Sequence, residues 1–209
     1  MIPLRIAAIV EGDGEVESLP VLIRRHAEAL GMAAVVKVDP VIRQPASKLL
    51  QAGDLEKNVE LCRRKLGGPG GILVLLDSDD HCPAKLGPRL LGRVQAAVSD
   101  RPCSVVLANR EYESWFLGAA VSLRGLRGLS PSLEAHPNPE TVRGCKEWLT
   151  RAMPRGQPYS PILDQREFTK VFDFDAALAA CPSFEKCHRE IRTLLQRTAA
   201  ITPGLNPAA

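Results

Sequence analysis

Gly71-Ile-Leu-Val-Leu-Leu76 is an unbroken apolar run. A strand with one wet face alternates apolar and polar residues, so a run like this belongs to a strand covered on both faces, as in a parallel sheet. Its surroundings repeat the theme. Leu4–Val10 is apolar and β-branched, and the turn Glu11-Gly12-Asp13-Gly14 follows it. Val16, Leu19, Leu22, Ile23, Ala27 and Leu30 then recur at helical spacing, with Gly31 as the stop. Ala33–Val38 reads as a second strand. Next comes a helix from Asp54 with Leu55, Val59, Cys62 and Leu66 on one side. After the central run, Leu86, Leu90, Leu91, Val94, Ala97 and Val98 form another amphipathic helix, and Cys103–Ala108 another strand. Short alternation of strand and helix over residues 1–120 predicts a doubly wound α/β domain.

Beyond residue 120 the pattern changes. Residues 123–139 are rich in Gly, Ser and Pro and read as a connection. Asn138-Pro139-Glu140 resembles a helix start, with proline at the first helical position, and Val142, Cys145, Trp148, Leu149 and Ala152 follow on one face. A polar stretch holding Pro154, Pro158 and Pro161 leads to Phe174–Cys181. A last helix runs from Ser183 with Phe184, Cys187, Ile191, Leu194 and Leu195 inward. Residues 121–202 are therefore expected to be a helical appendage packed on the sheet, and 203–209 a loose tail.

Of the 209 residues, 45% are hydrophobic and 24% charged, a globular balance that excludes a disordered, collagen-like or coiled-coil chain. No apolar run approaches the roughly 18 residues of a membrane span, and Leu4–Val10 lacks the features of a secretory signal. The expected location is the cytoplasm, with no membrane partner. The net charge of +3 arises entirely beyond residue 120 and permits polyanion binding without demanding it. Six cysteines include no Cys-x-x-Cys pair, which argues against structural zinc.

The informative feature is where the acids fall. In an open parallel sheet, ligands bind beyond the carboxyl ends of the strands. The first strand delivers Glu11-Gly-Asp13-Gly-Glu15 there, the third Asp77-Ser-Asp79-Asp80, and the fourth Asn109-Arg110-Glu111-Tyr-Glu113. Carboxylates so gathered repel one another and hold their protons unless a cation joins them. Converging oxygen ligands with open positions suit Mg²⁺ or Mn²⁺. Asp77 and Asp79, two apart beyond a strand end, can face one metal region while Ser78 points away.

Val10-Glu11-Gly12 after a first strand, with Asp77-Ser-Asp79 after a later one, resembles the Toprim fold of topoisomerases, primases and the overcoming-lysogenisation-defect nucleases. Residues Ile9-Val-Glu-Gly-Asp-Gly-Glu15, Arg110-Glu-Tyr-Glu-Ser-Trp-Phe-Leu117 and Pro182-Ser-Phe184 more closely resemble the Toprim-like domain-of-unknown-function family 4276. The resemblance implies a Toprim-like, mainly parallel sheet. It also implies Glu11 as general acid/base and metal ligand, and Asp77 and Asp79 as the metal-holding pair. Glu15 and Glu113 are its candidates for a second metal. Lys146 and Lys170 are candidates for a basic side chain near a scissile phosphate. A Mg²⁺- or Mn²⁺-dependent nuclease follows, acting on nucleic acid, DNA in preference to RNA, in defence against foreign DNA. Arg24, Arg25, Arg43, Arg110, Arg143 and Arg155 would track the phosphate backbone. The resemblance further implies a separate ATPase partner, since no Gly-x-x-x-x-Gly-Lys-[Ser/Thr] loop occurs in these 209 residues.

Two other readings fit the same residues. One is an aspartyl phosphatase with Asp77 as nucleophile, which leaves the acidic turn after the first strand without a task. The other is a non-catalytic subunit that binds a partner or nucleic acid. His81 and Cys82, beside the Asp77 turn, and Cys181, Cys187 and His188 near the C-terminus are further candidate ligands.

Overall fold

The computed structural model describes residues 3–204, so residues 205–209 of the expected tail lie outside the described residues. Strands β1 (Leu4–Val10), β2 (Val36–Arg43), β3 (Gly71–Asp77) and β4 (Cys103–Ala108) form one sheet in the order β2-β1-β3-β4. Every pairing is parallel, Ile6 facing Gly71 and Ile72 facing Cys103 across the two central ladders. The apolar run of β3 thus sits inside the sheet, between β1 and β4.

Helices cover both faces, because alternate strand residues point opposite ways. Ala7, Ile9, Val74, Leu76, Val105 and Leu107 face α3 (Asp54–Leu66) and α4 (Pro83–Ala97). Ile6, Ala8, Val10, Leu73, Leu75 and Val106 face α1 (Asp13–Glu28) and the long α9 (Pro182–Ile201). Phe184, Cys187, Ile191, Leu194 and Leu195 of α9 are buried, as their spacing predicts. Smaller helices complete the chain: α2 (Ala46–Leu49), α5 (Ser114–Gly118), α6 (Cys145–Ala152), α7 (Arg166–Val171) and α8 (Phe174–Ala180). Phe116, Phe168, Phe172 and Phe184 meet Trp115 and Tyr112 in an edge-on aromatic cluster that joins α5, α7 and α9.

Three elements differ from the sequence reading. The second strand runs Val36–Arg43, not Ala33–Val38, and carries Pro40. Proline is tolerated because β2 is an edge strand and its register with β1 slips between Ile6 and Ala8. The helix start expected at Asn138-Pro139 gives only the short 3-10 turn Pro139–Thr141, and the α-helix begins at Cys145, after Gly144 with its left-handed φ of 74°. The proline-rich stretch is not an open loop: residues 161–165 make a wide π turn that leads into α7.

Candidate functional site

The three acidic turns meet at the carboxyl edge of the sheet. Each is placed by its strand: Glu11 directly follows β1, Asp77 closes β3, and Arg110-Glu111 follows β4. Loops β3–α4 and β4–α5 are stitched together. The Ser78 amide donates to Ala108 O at 2.9 Å, the Asp79 amide to Arg110 O at 3.1 Å, and the Arg110 amide to Ser78 Oγ at 3.1 Å. Ser78 is fully buried, with its Oγ turned to the β4–α5 loop. The stitching holds two non-glycine residues in left-handed conformations, Asp79 at φ 47° and Arg110 at φ 66°. Such conformations are costly and persist only where neighbours enforce them.

A cavity of about 440 Å³ opens at this edge, with Glu11, Glu15, Asp77, Asp79, Glu111 and Lys146 in its wall. A second hollow of about 260 Å³ shares Glu11, Asp77 and Asp79 and adds Ser47 and His81. Glu11, Asp77 and Asp79 therefore share a common space, and His81 borders it. Among the described residues, no three His, Cys, Asp or Glu side chains close on a single point.

The individual environments differ. Glu11 is half-buried, and its Oε2 is buried with no hydrogen-bond partner. Burial, then the Asp79 charge, raises its pKa above the usual glutamate value, while the amides of Ala46 and Asp77 offset part of the rise. Asp77 Oδ1 accepts the Tyr112 amide at 2.8 Å. Burial and the neighbouring Glu113 charge push the Asp77 carboxyl well up, against the pull of Lys146. Asp79 is exposed.

Glu15 is already engaged. Its Oε2 accepts the Gly12 amide at 2.8 Å, a capping contact at the start of α1, and its Oε1 accepts Gln165 Nε2 at 2.9 Å. Gly14 makes room for this arrangement, since a Cβ there would lie 2.1 Å from Gln165 Oε1. Glu113 is buried completely, with Tyr159 OH donating to Oε1 at 3.0 Å. Lys146 Nζ lies 3.2 Å from Glu113 Oε2 and donates to Glu111 Oε2 at 2.7 Å. Burial opposes the Lys146 charge, but Glu113, Asp77 and Glu111 prevail and hold its pKa above the normal lysine value.

Lys170 is not brought to the rim. It sits on α7 paired with Glu167 at 2.5 Å. Arg25 is also committed elsewhere: it donates to Thr169 O and Phe172 O, and its guanidinium lies 3.8 Å from the Phe174 ring centroid. Arg43 pairs with Asp13 at 3.0 Å at the cavity edge, while Arg110 and Arg143 both reach Asp80. Those two arginines lower the Asp80 pKa, Arg143 most. Cys181 and Cys187 are buried free thiols in the core. Gln165, Glu111 and Tyr159 are site residues to which sequence reading gives no role. Glu111 lay within the acidic turn already noted; the other two carry no signal, because they reach the rim only through the π turn and the loop before it.

Among the described residues no helix is long and apolar enough to cross a membrane. The family model Domain of unknown function (DUF4276) matches residues 10–192, a span that contains every side chain of the rim, and the chain belongs to that family. No curated protein and no solved structure matches it.

Proposed function

From this family membership and the acidic rim, we propose that the chain is a divalent-metal-dependent nuclease that hydrolyses phosphodiesters in nucleic acid, DNA in preference to RNA. The observation that carries the reading is the convergence of Glu11, Asp77 and Asp79 on one cavity, where a buried Glu11 oxygen has no partner. A buried carboxylate oxygen without a hydrogen bond is costly, and a hard cation relieves that cost. The donors are of the kind Mg²⁺ or Mn²⁺ takes: all oxygen, after β1, at the end of β3 and in the loop that follows it, with one wall open. The resemblance of the Glu-Gly and Asp-x-Asp turns to Toprim nucleases supports the same chemistry.

Mg²⁺ held by Glu11, Asp77 and Asp79 would supply Lewis-acid stabilisation of a phosphoryl oxygen and a more acidic water. The chain's own residues do the rest. The Tyr112 amide fixes Asp77 through Oδ1 and leaves Oδ2 free of that bond. Glu11 places its partnerless Oε2 toward the shared space and would act there as a metal ligand. Lys146 in the cavity wall, and Arg43, Arg110 and Arg143 around it, are each paired with an acid of the rim, so the opening is acidic overall and these four cations are the groups within it that can meet a phosphate backbone. Action in defence alongside a separate ATPase belongs to the same proposal.

Incubation with supercoiled, linear and single-stranded DNA and with RNA, in Mg²⁺, Mn²⁺ or chelator, tests it. Cleavage that needs the metal and falls at least about 100-fold in Glu11→Gln and Asp79→Asn is expected, the usual scale for losing a group that acts in the transition state. Cleavage that survives both changes or ignores the chelator refutes the assignment.

A further inference from the structure

Of the two acids expected to hold a second metal, Glu15 is hydrogen-bonded through both oxygens and Glu113 through one, its buried Oε2 having no hydrogen bond and only the Lys146 ammonium as an ion-pair neighbour. Glu15 is bound through both oxygens, to the Gly12 amide and to Gln165. Glu113, with no exposed surface, is bound by Tyr159 OH on one oxygen and faces the Lys146 ammonium at 3.2 Å on the other. Lys146 is not loosely placed. Glu111 takes its Nζ at 2.7 Å, and the other Glu111 oxygen accepts the Cys145 amide at 2.9 Å, so the carboxylate that grips the lysine is fixed by the start of α6. The same ammonium borders the cavity that Glu11, Asp77 and Asp79 share.

We infer that Lys146 is a resident second cation: its ammonium fills the place between Glu113 and Glu111, at the wall of the cavity that Asp77 also lines, that a second divalent ion would take, so the site accepts a single Mg²⁺ or Mn²⁺. This rests on the metal-dependent reading above and assigns its stoichiometry. The physical reason is charge and space together. A divalent ion needs oxygens at about 2.1 Å and drives away an ammonium already between them. The buried Glu113, in turn, cannot stay ionised without a cation beside it. A fixed positive charge next to the single ion also performs the second ion's electrostatic task, offsetting charge on a phosphoryl oxygen. Lys146 is then a positioning and charge-compensating residue as well as part of the cavity wall.

Titration of the full chain with Mn²⁺, reading free Mn²⁺ by electron paramagnetic resonance, tests this without any substrate. The native chain is expected to bind one ion. Lys146→Met is expected to bind two, because the vacated acids now need a cation. Lys146→Arg restores one, and Lys146→Met combined with Glu113→Gln returns to one. If the methionine variant does not fold by circular dichroism, Lys146→Gln replaces it with the same expectation. Two ions in the native chain overturn the inference and leave the nuclease reading standing. A single ion in a folded Lys146→Met or Lys146→Gln chain also overturns it. No bound ion in the native chain overturns both.

Discussion

Asp79 and Arg110 hold left-handed backbones side by side, tied by the Asp79 amide on Arg110 O and the Arg110 amide on Ser78 Oγ. Asparagine tolerates that conformation and glycine prefers it. Asp79→Asn is therefore expected to leave thermal stability within about 0.5 kcal/mol of native while removing metal binding. Asp79→Gly is expected to gain up to about 1 kcal/mol by relieving the strain, with the same loss of binding. Calorimetry and Mn²⁺ titration of the two variants check this, and a glycine variant less stable than the asparagine one would contradict the strain argument. Strain kept at a residue that gives up only a ligand when replaced marks a position shaped by chemistry. The carboxylates at strand ends were legible because their place follows from topology alone. Asp77 and Asp79 needed only the apolar run before them. The pairing of Lys146 with Glu111 and Glu113 was not legible as such: some 35 residues of short helical turns and loops separate Lys146 from Glu111, and no periodicity records that distance.

At the scale of elements, α7 and the π turn before it are the clearest case of structure hidden from sequence. Six helical residues with Phe168 and Thr169 buried show too little of a 3.6 period to register. Their tertiary role is larger than their length. Gln165 ends the turn and joins Glu15 to the Ser18 hydroxyl, at 2.9 Å and 3.4 Å, fastening the turn to the start of α1 beside the cavity. Gly14 permits that approach. Gly14→Ala places a methyl against Gln165 and Pro161 and is expected to destabilise the fold by about 1–3 kcal/mol through overpacking. Urea unfolding measures the loss, and Gly14→Ala with Gln165→Ala should recover part of it. No recovery would mean that the two residues do not meet. The shifted β2 and the late start of α6 turn on single residues: Pro40 is allowed by an edge, and α6 begins only after the left-handed Gly144.

For the whole molecule, the rim sets function against stability. Glu11 and Asp77 have raised pKa values in the folded state, so the metal-free fold keeps protons that the unfolded chain gives up near pH 4. The sign follows. Their contribution is complete below about pH 4 and is lost as pH rises through the raised folded values. A divalent ion replaces those protons, so its stabilising effect grows as they leave. The rise in Tm on adding Mg²⁺ is expected to be larger at about pH 8 than at about pH 5, by several degrees, since about 1 kcal/mol moves Tm roughly 2–4 °C in a chain of this size. Glu11→Gln is expected to reduce that difference and to raise the Tm in chelator at the higher pH. Scanning calorimetry at the two pH values reads both effects, and an equal shift at each would contradict the coupling of metal to these protons. The sheet itself was the most legible part of the chain. Its strand run, turns and covering helices all agree on one architecture, and only its edge strand moved.

The most direct measurement is anomalous diffraction at the manganese edge from crystals of the full chain grown with Mn²⁺. A single peak within coordination distance of Glu11, Asp77 and Asp79, with Lys146 still on Glu113, is the predicted result. A map with no peak at that edge of the sheet, or with manganese bound only where these three side chains do not reach, would contradict the account.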